Sequence, residues 1–254
     1  NELGSKGLFT AELEAALRAG TVDLCVHSLK DLPTQLPPEI AALALLERED
    51  PRDALVTPVG AAPVRTLAHL PVGARVGTSA LRRRAQLLAA RPDLTVADVR
   101  GNVGTRLRKL DAGEYDVLLL AAAGLRRLGL AERITGWLEA PAWISAPGQG
   151  AIAVQGRSDD AATASLLAAL HHAPTGVAVT AERAFLRALE GGCQVPIGAY
   201  VGADGVLHGL VGAVDGSRVG HEPLDPMEPT AAGERLAARL LREGADALLA
   251  LAGR

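Results

Sequence analysis

Between Arg75 and Ala121 the chain alternates short apolar runs with amphipathic stretches. A strand is predicted over Arg75–Gly77, a helix over Ser79–Ala90, a strand over Leu94–Val99, a helix over Gly104–Ala112 and a strand over Val117–Ala121. This order constrains the fold more than any other feature, because a helical crossover returns the chain parallel to the strand it left and lays helices over the sheet faces. The predicted fold class is α/β with a mostly parallel sheet.

Upstream, a helix over Gly7–Leu17 leads into a strand over Asp23–His27 and a turn at Asp31-Leu32-Pro33, and a polar stretch over Glu47–Arg52 opens a proline-rich connection reaching Pro63. Downstream, Pro141–Gly150 reads as a hinge, Ala151–Gln155 as a strand and Ala161–Leu170 as a helix. The pattern then changes to a helix from Pro174, a glycine-cysteine turn, strands over Ile197–Val201 and Val206–Val211, and a closing helix over Thr230–Leu251, an α+β layout.

At 254 residues and 48% apolar content, the chain is long enough for two or three modest domains with their own cores. No apolar run reaches the roughly 18 residues of a membrane span and no secretory leader opens the sequence, so a cytoplasmic protein without membrane contact is expected. The net charge of -3 argues against an overall draw toward nucleic acid. Cys25 and Cys193 are too far apart in sequence to form a metal-ligand pattern, and Cys25 sits in an apolar run read as a buried strand. No metal site is expected.

Five segments carry candidate chemistry. In Glu190-Gly191-Gly192-Cys193-Gln194-Val195-Pro196-Ile197-Gly198, paired glycines can hold Cys193 out on a turn, where a thiol can do covalent chemistry; the plainer reading is a small buried hydrophobe. His27-Ser28-Leu29-Lys30-Asp31-Leu32-Pro33 follows a strand, so Lys30 and Asp31 emerge where ligands settle in open α/β sheets, unless they are a solvated charge pair. In Gly77-Thr78-Ser79-Ala80-Leu81-Arg82-Arg83, hydroxyls and arginines meet a helix start, whose unpaired amides favour anions. Arg100-Gly101-Asn102-Val103-Gly104-Thr105-Arg106 repeats that arrangement one unit later, and Gly124-Leu125-Arg126-Arg127 offers a third group. Arginine outnumbers lysine 23 to 3, which codon bias alone could produce, but three successive units that each end a strand in arginine point to one cation-lined cleft for a substrate with several carboxylates or phosphates.

These segments, with Gly4–Leu8, Glu47–Asp53 and Gly148-Gln149-Gly150, occur in the order seen in porphobilinogen deaminases, also called hydroxymethylbilane synthases, and the chain resembles that family over nearly its whole length. The resemblance implies two domains like periplasmic solute-binding proteins joined by a hinge, plus a small C-terminal α+β domain. The first would span 1–49 and 148–170, the second 50–147 and the third 171–254. It implies a transferase that condenses four porphobilinogens head to tail, releasing ammonia each time, to form hydroxymethylbilane on a dipyrromethane cofactor. By the same resemblance Cys193 carries that cofactor through a thioether. Asp31 is the catalytic aspartate that stabilises the azafulvene cation. Lys30, Thr78, Ser79, Arg82, Arg83, Arg100, Gly101 and Arg106 bind the cofactor, while Arg127, Lys6 and Phe9 act on the substrate side.

The family's opening strand-helix-strand, which supplies an arginine and a serine, is expected to be missing here, and Ala80 stands where some members carry a carboxylate-binding serine, a loss that Thr78 or Ser79 can make good. A monomer acting on porphobilinogen is the expectation. Two rivals make different demands. A non-enzymatic solute-binding module needs no Cys193, and a thiol hydrolase needs a base among His171, His172 and His208, of which His171 and His172 read better as a helix end.

Overall fold

The computed structural model describes residues 5–189, 195–213 and 216–252. From the amino end, helix α1 (Ser5–Arg18) is followed by strand β1 (Cys25–Ser28), a 3-10 turn at Leu29–Asp31 and strand β2 (Ile40–Leu45). The chain then crosses into a second sheet through β3 (Asp53–Val56), β4 (Arg75–Gly77), α2 (Leu81–Ala90), β5 (Thr95–Ala97), α3 (Val103–Asp111), β6 (Val117–Ala121), α4 (Ala122–Arg127) and β7 (Gly136–Leu138). It returns through β8 (Ile152–Arg157) and α5 (Ala161–Leu167), and finishes with α6 (Ala173–Ala188), β9 (Ile197–Val201), β10 (Val206–Ala213), β11 (Gly216–Pro223), α7 (Pro229–Arg242) and α8 (Ala245–Ala252).

Three sheets result, ordered β1-β8-β2, β5-β4-β6-β3-β7 and β11-β10-β9. The predicted alternation from Arg75 to Ala121 is present, and β4 pairs parallel with both β5 and β6. The sheet is nonetheless only half parallel, because β3 pairs antiparallel with both β6 and β7. The crossovers run between β4, β5 and β6, whereas β3 and β7 are the strands by which the chain enters and leaves. The β3 strand was read as part of a proline-rich connection; all four of its residues are buried, and its apolar Ala54, Leu55 and Val56 enter the two cores on either side of the sheet.

The first and third sheets are antiparallel throughout. In the third, α6 and α7 bring Phe185, Leu236 and Leu240 against Ile197, Leu207 and Val211 of the strands. The closing helix predicted as one element is two, because Gly244 takes φ +93 after Arg242, a left-handed conformation that ends α7. Among the described residues no helix is long and apolar enough to cross a membrane.

Two segments cross between the first and second sheets, residues 46–52 on the way out and 139–151 on the way back. They are stitched to each other. Glu49 N donates to Gly150 O at 3.1 Å, Arg48 Nε to Gln149 O at 2.8 Å, and Gln149 Nε2 to Pro51 O at 2.7 Å. Gly150 takes φ +89, and a Cβ there would collide with the Glu49 carbonyl, so this close approach demands glycine. Glu182 of α6 closes the junction: it pairs with Arg48 and accepts from the amides of Gly148 and Val201.

Candidate functional site

Lys30 and Asp31 lie in the 3-10 turn that follows β1, where the strand's carboxyl end opens. The turn is anchored from below. Leu29 and Leu32 are buried with Ala151, Ala153 and Val179, and Leu29 N donates to Ala151 O at 3.0 Å. From α6, Arg183 reaches the carbonyls of Leu29 and Leu32 at 3.3 and 3.2 Å, and also that of Pro33. Apolar packing below and a guanidinium at the side thus fix the two charged residues by their backbone.

The segment after β4 behaves differently from its neighbour after β5. Ser79 Oγ donates to Val99 O at 2.9 Å and accepts from Val99 N at 3.0 Å, which ties together the loops leaving the two strands. Thr78 is buried and its hydroxyl accepts from Ala80 N at 3.3 Å. Ala80 occupies the N-cap of α2 without a side-chain bond to the helix amides. In the next unit Asn102 caps α3 by accepting from Thr105 N at 2.9 Å, and Arg106 Nε donates to the carbonyl of Gly101, whose φ is +111.

The arginines divide into two groups. Arg82 and Arg83, on the first turn of α2, are buried against Asp53 of β3, at 2.8 and 2.7 Å. Arg82 also donates to Ile144 O at 2.6 Å and is pressed against β9, where a Cβ on Gly198 would stand 3.2 Å from its Cδ. Its charge is spent inside the protein. Arg83 donates to Asp53 and to Leu119 O at 2.9 Å, but its Nε is buried without a partner among the described residues. Arg100 is exposed and Arg106 partly buried. Arg127 is held by the second crossing segment, its Nη2 donating to Gly150 O at 2.6 Å, while Arg126 pairs with Glu49 at 2.8 Å.

Electrostatics joins the two sheets into one site. Burial pushes the Lys30 ammonium down to about 8; Arg83 and Arg82 add to that shift, while Asp31 and Asp53 oppose it. Arg106 is lowered by burial and by Arg83, again against the pull of Asp31. Burial alone would raise Asp53, yet Arg82 and Arg83 hold it well below the usual carboxylate range. Lys30 and Arg106 each sense both Asp31 and Arg83, across the space between the first and second sheets.

Sequence reasoning gave no role to Asp53, Gln149 or Glu182, although the first two lie in segments quoted for the family resemblance. Lys6 and Phe9 fall on α1; their side chains, and Cys193, lie outside the described residues. Cys25 is buried core as expected, its thiol pushed up by burial and then by Glu14. His171 and His172 serve backbone: their Nδ1 atoms accept from Leu45 N and Thr175 N, and His172 caps α6. His208 belongs to the third sheet, on β10 beside Asp204.

Two family descriptions match the chain, "porphobilinogen deaminase, dipyromethane cofactor binding domain" over residues 1–165 and "porphobilinogen deaminase, C-terminal domain" over residues 177–242. The porphobilinogen deaminase of Roseiflexus sp. (strain RS-1) is 53% identical, with 98% of this chain and 82% of that protein covered. Those of Syntrophotalea carbinolica and Shouchella clausii are 52% and 50% identical, over 98% of this chain and 79% and 80% of theirs. Among solved structures, the VFT2 domain of BvgS from Bordetella pertussis superposes with a TM-score of 0.39 at 17% identity over 62% of this chain and 64% of that one, a likeness too slight to carry an argument. On the strength of the sequence matches, the chain belongs to the porphobilinogen deaminase family.

Proposed function

We propose that Asp31 is the catalytic carboxylate of this porphobilinogen deaminase, with Lys30, Arg83, Arg100 and Arg106 holding substrate and cofactor carboxylates and Cys193 carrying the dipyrromethane. The family's activity joins four porphobilinogens head to tail on that primer with loss of ammonia at each step. The observation that carries the assignment is the convergence of Lys30 and Asp31 from the first sheet with Arg83 and Arg106 from the second.

The residues fit a carboxylate-bearing cofactor. Among the described residues Arg83 Nε is buried without a partner, and a guanidinium is suited to a second carboxylate after Asp53 has taken Nη2. When bound, the dipyrromethane supplies the nucleophilic pyrrole carbon to which the first porphobilinogen is joined. Porphobilinogen, protonated at its aminomethyl nitrogen, loses ammonia with the bonding electron pair, leaving a positive charge that spreads over the ring; the pyrrole carbon that then joins it gives up its hydrogen as a proton. The Asp31 carboxylate opposes that charge as it develops, the mirror image of an oxyanion hole. Meanwhile Arg106 and Lys30 offset substrate acetate and propionate, so the site does not repel its ligand. Of the four residues assigned cofactor contacts near α2, Thr78, Ser79, Arg82 and Arg83, Ser79 and Arg82 act through the frame, since their polar atoms are engaged by Val99 and by Asp53 and Ile144. Arg127 supports substrate from the crossing segment that it holds. By the family resemblance, Lys6 supplies a cation beside the cofactor or over the cleft and Phe9 an aromatic near the pyrrole rings.

The domain division proposed is 1–49 with 148–170, 50–147, and 171–254, supported by one sheet falling in each. We further take the chain to work as a cytoplasmic monomer without nucleic acid, the last in keeping with its net charge of -3. Mass spectrometry of purified protein tests the assignment: the wild type gains the mass of a dipyrromethane and Cys193→Ser does not. Asp31→Ala keeps the adduct and loses turnover by roughly a hundredfold or more, the scale of a transition-state electrostatic contact. A bare wild-type mass after incubation with porphobilinogen, or near-normal turnover in Asp31→Ala, would refute it.

A further inference from the structure

The catalytic turn and the arginine layer belong to different sheets, and one side chain joins them. Gln149, 1% exposed in the second crossing segment, donates from Nε2 to Pro51 O at 2.7 Å and to Asp53 Oδ1 at 2.8 Å. Both N–H bonds of the amide are thereby committed, and Oε1 is the end presented to Lys30, whose Nζ donates to it at 3.5 Å. A flipped amide would set Oε1 against a carboxylate and a carbonyl, so Asp53 dictates which end Lys30 meets. Asp53 is itself immobilised by four donors: Arg83 and Gln149 on Oδ1, and Arg82 and Trp143 on Oδ2 at 2.8 Å each.

We propose that Asp53, acting through Gln149, is a positioning residue for the condensation, holding Lys30 and the turn that bears Asp31 in register with Arg83. Asp53 also neutralises the guanidiniums behind the ammonium. The charges facing Lys30 are Arg82, Arg83, Asp31 and Asp53, an even balance that would tip to two cations against one carboxylate without Asp53. The inference rests on the reading of Lys30 and Asp31 as site residues.

The test is competitive acylation of the full-length, primer-loaded protein across pH, read peptide by peptide by mass spectrometry, alongside the pH profile of kcat. The chain holds only Lys6, Lys30 and Lys109, and Lys109 on α3, which has no assigned site role, serves as the internal reference. Wild-type Lys30 sets the reference midpoint, about 8 before the primer's carboxylates add their upward pull. In Asp53→Asn its midpoint falls by about one unit, the effect of one nearby charge, and the alkaline limb of kcat moves down with it. Because Asp53→Asn leaves two buried guanidiniums short of a partner and can fail to fold, Gln149→Met carries the decision. It keeps length and charge and removes the bridge together with the bond to Pro51 O, while the bonds from Glu49 N to Gly150 O and from Arg48 Nε to Gln149 O still hold the crossings together. The expected result is a lowered Lys30 midpoint and a roughly ten- to hundredfold fall in kcat with KM little changed, the signature of misplacement. An unchanged midpoint and profile in Gln149→Met, while Lys30→Met abolishes turnover, would overturn this inference alone. Full activity in Lys30→Met would overturn the site reading beneath it.

Discussion

Removing the Glu182 carboxylate should nearly unfold the protein, and the structure says by how much. Glu182 is wholly buried and accepts four N–H groups: Arg48 Nη1 and Nη2 at 2.6 and 3.0 Å, Gly148 N at 2.8 Å and Val201 N at 2.9 Å. Those donors belong to the first crossing segment, the second crossing segment and β9. Arg48 is itself only 11% exposed, so Glu182→Ala strands a buried guanidinium. Losing one partner of a buried pair costs about 3–5 kcal/mol. Water entering the vacated space can satisfy the two amides, so about 4 kcal/mol is the expected loss, out of a total near 5–15 kcal/mol for a folded protein. Urea titration followed by far-UV circular dichroism and by the fluorescence of Trp137 and Trp143 measures it. The paired replacement Arg48→Met with Glu182→Met should recover most of the stability, because an apolar pair carries no desolvated charge. A loss under about 1 kcal/mol in the single variant, the size of a surface pair, would refute the reasoning, as would a double variant whose loss equals the sum of its parts.

Gly150→Ala should cost more than the about 1–3 kcal/mol of a strained backbone, since φ +89 is compounded by collision with the Glu49 carbonyl. Thermal denaturation reads this, and an unchanged midpoint would contradict the required close approach of the two crossings. Lys30 makes stability depend on pH in a direction that can be checked. Its folded value of about 8 lies below the ordinary 10.5, so in that window the unfolded chain binds more protons and stability rises with pH. Below about 8 the buried ammonium is a standing cost. The difference in stability between wild type and Lys30→Met should therefore shift in favour of wild type from pH 8 to 10, and a flat difference would count against the enclosure of Lys30.

The parts of this fold legible in sequence were those governed by local periodicity. The alternation from Arg75 to Ala121, the turn at Asp31 and the strands Ile197–Val201 and Val206–Ala213 follow from neighbours along the chain, and they stand where expected within a residue or two. What escaped depended on distant partners. The β3 strand is four residues between Pro51 and Pro58, too short for any period to speak, and only its pairing with β6 and β7 makes it a strand. Asp53 and Glu182 each gather donors from segments far apart in sequence, which no local pattern encodes. The same holds for the arginines. Arg82 and Arg83 are adjacent on one helix, yet Arg82 is consumed by Asp53, Ile144 and the third sheet, while Arg83 keeps an unpartnered edge.

That division answers a problem that a cation-lined cleft creates for itself. Guanidiniums packed closely enough to grip several carboxylates repel one another and depress the charge of any lysine among them, as Arg83 does to Lys30. Buried carboxylates relieve the strain, but each one also cancels charge that the substrate needs. Among the groups that sense one another here, Lys30, Arg82, Arg83 and Arg106 face Asp31 and Asp53, a surplus of two positive charges. One porphobilinogen brings two carboxylates. If these groups hold substrate as proposed, that surplus matches about one monopyrrole unit, and the carboxylates of a growing chain call for cations outside the enclosed group. Arg100, exposed beside Gly101 at the start of α3, stands where an accumulating polyanion can be held without a compensating carboxylate. On the proposed site assignment, each reacting unit would meet the same enclosed charges, and the further carboxylates of the chain would fall to Arg100.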